Sequence, residues 1–460
     1  MLDCNPGLLL SQVGFVRHMF MQTEGLPFSR VLSEDSIAGA LREFGLTLAE
    51  PVYNAVVTTW MFLSQVLSAD SSCRAVVARL VAHRCRSGQP PCSAATGGYC
   101  IARKRLPEAF IARLVRQTGR ALHEQVPSRW RWKDRPVSMF DGSTVSMTDT
   151  PANQKAYPQP RSQKPGVGFP LARIGVLFSL AAGSVLDLGI CRFRGKGQSE
   201  LGLLRQLWHH LVEGTVLLAD RYFCSYFEIA LLRQRGVDVV CRLHQGRQVN
   251  WRNGRDQIVT WPKPRKPFWM RRSTYRDLPA EMSVRVIRVK VTRRSFRPRE
   301  VYLATTLTDA QLYTLEELAE LYRARWQAEL DLRSLKTVMQ MDVLRGKTPE
   351  IVRKEIWMHL LAYNLIRTVM AQAALNYHVP PQSISFKATL QILQAFHATP
   401  QAAPPGERLR LAHAILAAVA THRVGQRPDR YEPRARKRRP KPYPLLQYPR
   451  AIARKQFLYN

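Results

Sequence analysis

The chain has 460 residues, enough for two to four domains, and 45% of them are hydrophobic, enough for a substantial core. Its 69 Lys and Arg residues against 34 Asp and Glu residues give a net charge of +35, which repels itself unless an anionic partner is present. Ribosomal and membrane-surface proteins of this charge are rarely so long and so rich in Trp. Composition therefore favours a nucleic-acid-binding protein.

The sequence predicts neither export nor a membrane span. Residues 1–3 lack the basic stretch that precedes the apolar core of an export signal. The longest apolar run, residues 356–375, is interrupted by His359 and Arg367, so it predicts a buried helix. We therefore expect a protein of the prokaryotic cytosol, associated with the nucleoid and without a membrane partner.

Residues 1–130 are predicted to form a helical N-terminal domain, because apolar residues recur at helical spacing. A Gly/Pro turn at residues 87–91 is followed by a short basic segment. This is the outline of a DNA-reading unit, and equally that of a small helical bundle with a solvated basic face. We treat the domain as a candidate for binding DNA ends. Its candidate DNA contacts are Arg103, Lys104 and Arg105.

Beyond residue 130 the pattern changes to α/β. A three-strand meander is followed by helix, strand, helix and strand, which is the order of a ribonuclease-H-like core. Two of the strands end on a carboxylate, at Asp141 and at Asp220. The predicted strands are residues 137–141, 173–180, 185–193, 215–220 and 237–243, with helices at 199–212 and 226–235.

The rest of the chain divides into three parts. Residues 244–300 are strand-like and very basic, and predict a β-rich insertion into a catalytic domain that spans residues 131–378. After a strand at residues 301–306, the chain is predicted to be helical from residue 314 to 376. Residues 379–460 are predicted to form a helical C-terminal region with a basic, Pro-rich tail that is disordered when free.

One face of the helix at residues 321–336 carries an unusual set of side chains. At 100° per residue they share an arc of about 60°, beside the apolar stripe. A surface ion pair between Arg325 and Glu329 would contribute only a few tenths of a kcal/mol to helix stability, and it would leave Tyr322 and Lys336 unexplained. Alternatively, the acid holds a divalent metal while the cations and the phenol hold phosphates; the cations then have no intramolecular partners. The four side chains are Tyr322, Arg325, Glu329 and Lys336.

This spacing resembles the signature of the DDE transposases of the insertion-sequence-four family: Tyr, two residues, Arg, three residues, Glu, six residues, Lys. Residues 141–144 (Asp-Gly-Ser-Thr) resemble the first aspartate motif of that family, and residues 219–223 (Ala-Asp-Arg-Tyr-Phe) resemble the second. A basic β-rich insertion between the second Asp and the Glu is also a family feature. The resemblance covers about residues 30–400.

The resemblance implies a metal-dependent DNA transposase with a ribonuclease-H-like fold. Asp141 would bridge two Mg²⁺ ions, for which Mn²⁺ can substitute, Asp220 would bind one ion and Glu329 the other. Water would free a 3′-OH at the transposon end, which then attacks target DNA, while Tyr322, Arg325 and Lys336 grip phosphates near the cut. The expected partners are double-stranded DNA, at terminal inverted repeats and in the target, and a second copy of the chain in the DNA complex.

Two rival functions remain: a nuclease of the same fold that does not join strands, and a domesticated DNA-binding protein without catalysis. The intact acidic triad counts against the second. Trp261, within the insertion, is a candidate for stacking on a base pulled from the duplex, as a Trp of related hairpin-forming enzymes does. The alternative is a core Trp of the β insertion, since large aromatic side chains are mostly buried.

Overall fold

The computed structural model describes residues 28, 31–50, 52–86, 88–291, 299–396, 405–424 and 443–458. Most of these residues lie in helices and strands, as the sequence predicts. A π-helical segment, Ser334–Val338, interrupts the helical region after residue 314. The α-helices in chain order are α1 (Glu34–Glu43), α2 (Ala55–Val66), α3 (Cys73–Arg86), α4 (Gly97–Arg105), α5 (Glu108–Gln125), α6 (Pro151–Ala156), α7 (Glu200–Leu207), α8 (Tyr226–Gln234), α9 (Arg272–Asp277), α10 (Leu315–Ala324), α11 (Trp326–Arg333), α12 (Pro349–Asn376), α13 (Phe386–Phe396), α14 (Pro405–Thr421) and α15 (Arg450–Leu458).

In the described part of the chain nine strands form one mixed sheet. They are β1 (Val137–Met147), β2 (Leu171–Ser179), β3 (Val185–Arg192), β4 (Val216–Ala219), β5 (Asp238–Arg242), β6 (Asp256–Pro262), β7 (Glu281–Val291), β8 (Arg299–Thr305) and β9 (Val343–Leu344). The first three strands are antiparallel neighbours, and β1, β4 and β5 run parallel. This meander followed by parallel strands is the ribonuclease-H-like order predicted from the sequence, and the α/β class is confirmed.

The basic insertion extends this sheet. Strand β8 pairs antiparallel with β5, and β7 and β6 continue outward from β8. The buried guanidinium of Arg285 stabilises this part of the sheet. It donates to Asp256 at 2.6 and 2.7 Å and to the Tyr313 carbonyl at 2.7 Å. The insertion is therefore β-rich and basic as predicted, and its strands join the central sheet.

The sheet has an apolar core on each face, because successive side chains of a strand point to opposite sides. On β1, Met139 belongs to the larger core, which includes α12, and Phe140 to the smaller core, which includes α7 and α8. The larger core also receives α10 and α11. This layering sets the face of β1 on which each functional side chain emerges.

Helix α12 is the buried helix that the apolar run predicts. Its Arg367 is enclosed in the core and forms an ion pair with Asp331, and its side chain also donates to the Tyr363 hydroxyl. A buried cation requires such partners, because an unpaired charge in the interior is very costly. Among the described residues, no helix combines the length and the apolar character needed to cross a bilayer.

The N-terminal helices share the core of the catalytic region. Asn364 on α12 accepts from the Val185 N–H at 2.7 Å and donates to the carbonyls of Val185 and Val115, so one amide joins α5, α12 and β3. Lys354, also buried on α12, donates to the Lys104 carbonyl at the end of α4, at 2.7 Å. The predicted boundary near residue 130 thus marks a change of secondary structure within one core.

The C-terminal region is helical where it is described. Helices α13 and α14 pack against α12, and Ile415, Leu416 and Val419 of α14 are fully buried. The densest part of the predicted basic tail, residues 434–441, lies outside the described residues.

Candidate active site

Asp141 lies in the interior of a strand, and the prediction that the strand ends there is wrong. Strand β1 continues to Met147, and it pairs with β2 from Ser138 to Ser146. On its other edge β1 pairs with β4 only from Val137 to Met139 and with β9 from Ser146. Among the described strands none pairs with residues 140–145 on that edge. Asp141 therefore lies where the sheet opens, and β1 extends because its other edge remains paired.

Asp220 follows the last residue of β4, as predicted. Its Oδ1 accepts the Arg221 N–H at 2.6 Å and caps a short 3₁₀ turn. The parallel register pairs Met139 with Leu218. Asp141 and Asp220 each come two residues later, so they lie at the same level along the two strands. The two aspartates therefore emerge at the same opening of the sheet.

Glu329 reaches this opening from α11. At the junction of α10 and α11, Arg325 donates from Nη2 to Glu329 Oε1 at 2.6 Å, and its Nη1 lies 4.0 Å from Asp141 Oδ2. The Arg325 side chain is only 12% exposed. The expectation that Arg325 has no intramolecular partner is therefore wrong, because its guanidinium lies between two of the predicted metal ligands.

The electrostatics of the opening follow from burial and crowding. Burial raises the pKa of Asp141 to about 6; the Gly142 N–H and Arg325 lower it, while the charges of Glu329 and Glu200 raise it. Burial likewise raises the pKa of the Tyr322 hydroxyl; Arg325 opposes this shift and the charge of Asp220 adds to it. The negative charges of all three predicted metal ligands thus act on this small group of side chains.

Lys336 lies in the π-helical segment and also has an intramolecular partner. Its Nζ donates to Ser143 Oγ at 3.0 Å, which corrects the expectation of an unpaired cation. Ser143 shares a face of β1 with Asp141, two residues away. Ser143 is absent from the predicted site because the predicted strand ends at Asp141; a longer strand with period-two alternation would have indicated it. π-Helical turns often occur at functional sites.

The residues at the opening fit a hard divalent cation. Three carboxylates from separate elements supply the oxygen ligands that Mg²⁺ and Mn²⁺ prefer. The Tyr322 hydroxyl is buried and has no hydrogen-bond partner among the described residues, so it is available to a bound group. A bound cation would also stabilise the charged form of Asp141, which burial disfavours and which the charge of Glu329 repels.

Trp261 lies away from solvent, which corrects its assignment as a DNA contact. Its side chain is 4% exposed on β6, in the core that covers the insertion, and the Arg247 guanidinium lies 4.0 Å from its ring centroid. A ring enclosed in this way has no face free to stack on a base. The alternative interpretation, a core Trp of the β insertion, describes this position.

The three cations near the end of α4 differ in their surroundings. The Arg103 guanidinium carbon lies 5.2 Å from the ring centroid of Phe62 and 4.9 Å from that of Tyr99, and Arg103 donates to Gln65 Oε1 at 3.1 Å. Arg103 therefore has partners within the helical region and is only partly exposed, and its DNA contact stays a prediction. Lys104 and Arg105 are exposed, and Arg105 pairs with Glu50 at the surface.

Comparisons with known proteins identify the family to which the chain is similar. The family model for the transposase DDE domain matches residues 132–365, a segment that contains Asp141, Asp220 and Glu329. The transposase InsG for insertion sequence element IS4 of Escherichia coli (strain K12) is 28% identical over 360 residues, which cover 75% of this chain and 76% of that protein. The transposase for insertion sequence element IS421 of Escherichia coli is 40% identical over 83 residues, 18% of this chain and 21% of that protein.

Among solved structures, the cryo-EM structure of the piggyBac transposase synaptic complex with hairpin DNA aligns with 90% of this chain and 85% of that chain. The TM-score is 0.43 and the sequence identity is 11%.

Proposed function

Because the chain belongs to the DDE-domain transposase family and is therefore a DNA transposase, we propose that Asp141, Asp220 and Glu329 carry its chemistry by two-metal phosphoryl transfer. The reaction comprises cleavage of the transposon ends and their transfer into target DNA. One observation carries this proposal. The register of β1 and β4 brings the two aspartates to one opening of the sheet, and Arg325 joins Asp141 to Glu329 there.

The three carboxylates would hold two Mg²⁺ ions, or Mn²⁺ in their place. When bound, these ions activate the attacking oxygen and neutralise the charge that develops on the leaving oxygen. The protein fixes its ligands from rigid elements: Asp141 from the interior of a strand, Asp220 from a capped turn and Glu329 from a helix. Ligands placed on such elements keep their positions between the two reaction steps.

Tyr322, Arg325 and Lys336 would hold phosphates of the DNA beside the carboxylates. Among the described residues, the Tyr322 hydroxyl has no hydrogen-bond partner and Lys336 bonds only to the neutral Ser143. Arg325 bonds to Glu329 through one nitrogen, and its planar fork can grip two phosphate oxygens. Outside the site, the exposed Lys104 and Arg105 are proposed DNA contacts of the N-terminal helices.

The proposed partners are double-stranded DNA, at terminal inverted repeats and in the target, and a second copy of the chain. The net charge of +35 supplies the attraction to the DNA backbone. A transposon has two ends, and one chain offers one set of three carboxylates. Two copies in the DNA complex would therefore process both ends.

The proposal is tested by substituting Asp141→Asn, Asp220→Asn and Glu329→Gln one at a time in the full chain. Each should abolish cleavage of a transposon-end DNA while changing its affinity for that DNA by no more than a few-fold, because the fold and most cations remain. Asp277→Asn, an exposed acid of the insertion, is the control and should cleave normally. Near-normal cleavage by any one of the three variants would remove that residue from the site.

A second assay separates the transposase from a nuclease of the same fold. Pre-cleaved ends bearing a 3′-OH are offered with a supercoiled target plasmid, and joined products are counted. The wild-type protein should join them and the three carboxylate variants should not. Cleavage without any joining would contradict the strand-transfer part of the proposal.

A further inference from the structure

Two adjacent histidines and a buried aspartate form a cluster of metal-binding side chains away from the candidate active site. His209 and His210 lie in a 3₁₀ turn, Trp208–His210, that directly follows α7, and Asp187 lies on β3. One ligand atom from each of the three residues lies within 4.8 Å of the others. Helix α7 packs in the core that receives Phe140, so it covers the face of the sheet opposite to the one that carries Asp141.

The carboxylate of Asp187 is held in place by the protein. Its side chain is 1% exposed, and Oδ1 accepts the Leu188 N–H at 2.8 Å and the Arg116 Nε–H at 2.9 Å. Oδ2 lies 2.6 Å from His210 Nε2. Burial raises the pKa of Asp187, but the hydrogen bond to His210 and the charge of Arg116 bring it below its usual value. Asp187 is therefore a charged carboxylate with one oxygen that faces an imidazole.

The two imidazole rings complete the set of donor atoms. Their centroids lie 3.9 Å apart, and His209 is exposed, which gives an ion a path from solvent. Burial and the charge of His210 lower the pKa of His209, although the charge of Asp187 and a hydrogen bond to the Gln206 backbone oppose this shift. His209 is therefore neutral at pH 7, as a metal-ligating histidine must be. Such histidines use their other ring nitrogen to bond to a backbone carbonyl or a carboxylate.

We propose that Asp187, His209 and His210 form a second metal site, which binds Zn²⁺ in place of the proton between His210 and Asp187. Two imidazole nitrogens and a carboxylate oxygen, with a water in the fourth position, are a common ligand set for zinc. The displaced proton is released to solvent, because the ion binds the deprotonated nitrogen. Since Mg²⁺ prefers oxygen ligands, this site and the three carboxylates at the opening of the sheet select different ions.

The ion would join two elements of the fold. Its ligands come from β3 and from the turn after α7, so it would hold that turn against the strand. A ligand that binds the folded chain and not the unfolded one stabilises the fold. This role does not depend on the proposed function, because none of the three residues belongs to the candidate active site.

The cluster has another interpretation, as an ion-pair network in which Asp187 joins Arg116 on α5 to His210. The Arg116 guanidinium also disfavours a cation, but it bonds to Oδ1 and leaves the oxygen that faces His210. The network needs no contribution from His209. His209→Ala keeps both contacts of Asp187 and removes one donor of the metal site, so this variant distinguishes the two interpretations.

The experiment measures Co²⁺ binding to the full chain by visible absorption, because Co²⁺ takes the same ligands as Zn²⁺ and is coloured. Excess Mg²⁺ is present to occupy sites made of oxygen ligands. His209→Ala should weaken Co²⁺ affinity at least about tenfold, since the loss of a group that only orients a ligand already costs that much. Thiols elsewhere keep any Co²⁺ in every variant, so the difference from wild type reports this site.

Melting curves with and without Zn²⁺ give a second measurement. Zn²⁺ should raise the melting temperature of the wild type by several degrees and that of His209→Ala by much less. Asp187→Asn keeps an oxygen that can accept from Arg116 and should also lose Co²⁺ affinity. His413→Ala is the matched control, because His413 on α14 is exposed as His209 is and lies outside the cluster. It should behave as the wild type in both measurements.

Three results would overturn the inference. The wild type could give no Co²⁺ absorption, His209→Ala could bind Co²⁺ as tightly as the wild type, or His413→Ala could lose as much affinity as His209→Ala. The last result would mean that exposed histidines bind the ion in general. Should Asp187→Asn melt far below wild type without metal, His209→Ala decides, because its side chain is exposed and holds no buried contact of Asp187.

Discussion

Arg325 and Glu329 form a half-buried ion pair, with a 2.6 Å hydrogen bond from Nη2 to Oε1, at the opening of the sheet where Asp141 and Asp220 emerge. In the proposed function Glu329 is a metal ligand and Arg325 contacts a phosphate. Arg325 thus holds positive charge among carboxylates that would otherwise repel one another. Each substitution of Arg325 should therefore affect both the neighbouring acids and the proposed phosphate contact.

The first prediction concerns Arg325→Ala. Cleavage should fall on the order of a hundredfold, because a phosphate held about 1 Å out of place can cost that much. In the absence of divalent metal the melting temperature should also fall, since Asp141 and Glu329 lose their shared cation. Added Mg²⁺ should raise the melting temperature of the variant more than that of wild type, because the ion replaces the missing positive charge.

Arg325→Lys is the control for charge without the planar fork, and it should restore the melting temperature more fully than the cleavage rate. The measurements are melting curves with and without Mg²⁺ and cleavage rates on all three proteins. If Arg325→Ala melts far below wild type and its folded fraction cleaves normally, Arg325 is a structural residue and not a phosphate contact.

A second prediction concerns the metal. Mg²⁺ and Mn²⁺ should support cleavage, while Ca²⁺, with longer bonds and looser geometry, should permit binding to DNA ends without cleavage. EDTA should abolish cleavage and leave DNA binding by the basic surface largely intact. Gel-shift and cleavage assays on one DNA end make the comparison. Full cleavage in EDTA would refute a metal mechanism.

The third prediction concerns the salt dependence of DNA binding. Residues 434–441 hold six Lys and Arg residues, beyond the part of the chain that the structure describes. Each phosphate that a cation neutralises contributes about −0.9 to the slope of log affinity against log salt. Deleting the chain after Val424, which leaves α14 in place, should therefore flatten that slope, as should replacing the six residues by Gln.

The two variants distinguish charge from length, because the Gln variant keeps the whole tail. Binding is measured by fluorescence anisotropy at several salt concentrations. A slope equal to wild type in both variants would mean that the tail does not contact the DNA end.

A fourth prediction concerns stability in acid. His359 is buried on α12, where its Nδ1 bonds to the Glu355 carbonyl at 2.8 Å, and burial lowers its pKa to about 4. In the unfolded chain its pKa is about 6.5. Between these values the unfolded state binds the proton and the folded state does not, so stability falls as pH decreases from 6.5 to 4. The loss from this residue is on the order of 3 kcal/mol.

The test compares the free energy of unfolding in urea for wild type and His359→Gln at pH 7, 6, 5 and 4. The variant should be less stable at pH 7, and the difference should shrink as the pH falls. A constant difference would show that His359 does not carry this dependence. His123, whose pKa burial also lowers to about 4, contributes equally to both proteins and cancels in the comparison.

Much of the fold was predictable because its signals are local. The helix that Ser199 caps and the hairpin through residues 181–184 follow from capping and turn chemistry, which depend on a few neighbouring residues. The sequence also identified α12 as buried and placed Asp220 at a strand end. The length of β1 was not predictable, because its last residues are strand only by pairing with β2 and with β9, which lies about 200 residues further along the chain.

The candidates for the chemistry could be read from the chain alone, since residue types and their spacing along one helix are properties of the sequence. Their partners were set by folding. Register placed Asp220 level with Asp141, and packing set Arg325 between Asp141 and Glu329 and Lys336 against Ser143. Packing also buried Trp261 and placed Arg103 beside the rings of Phe62 and Tyr99. Such contacts join residues far apart in the chain, and local pattern carries no information about which distant surface a side chain will meet.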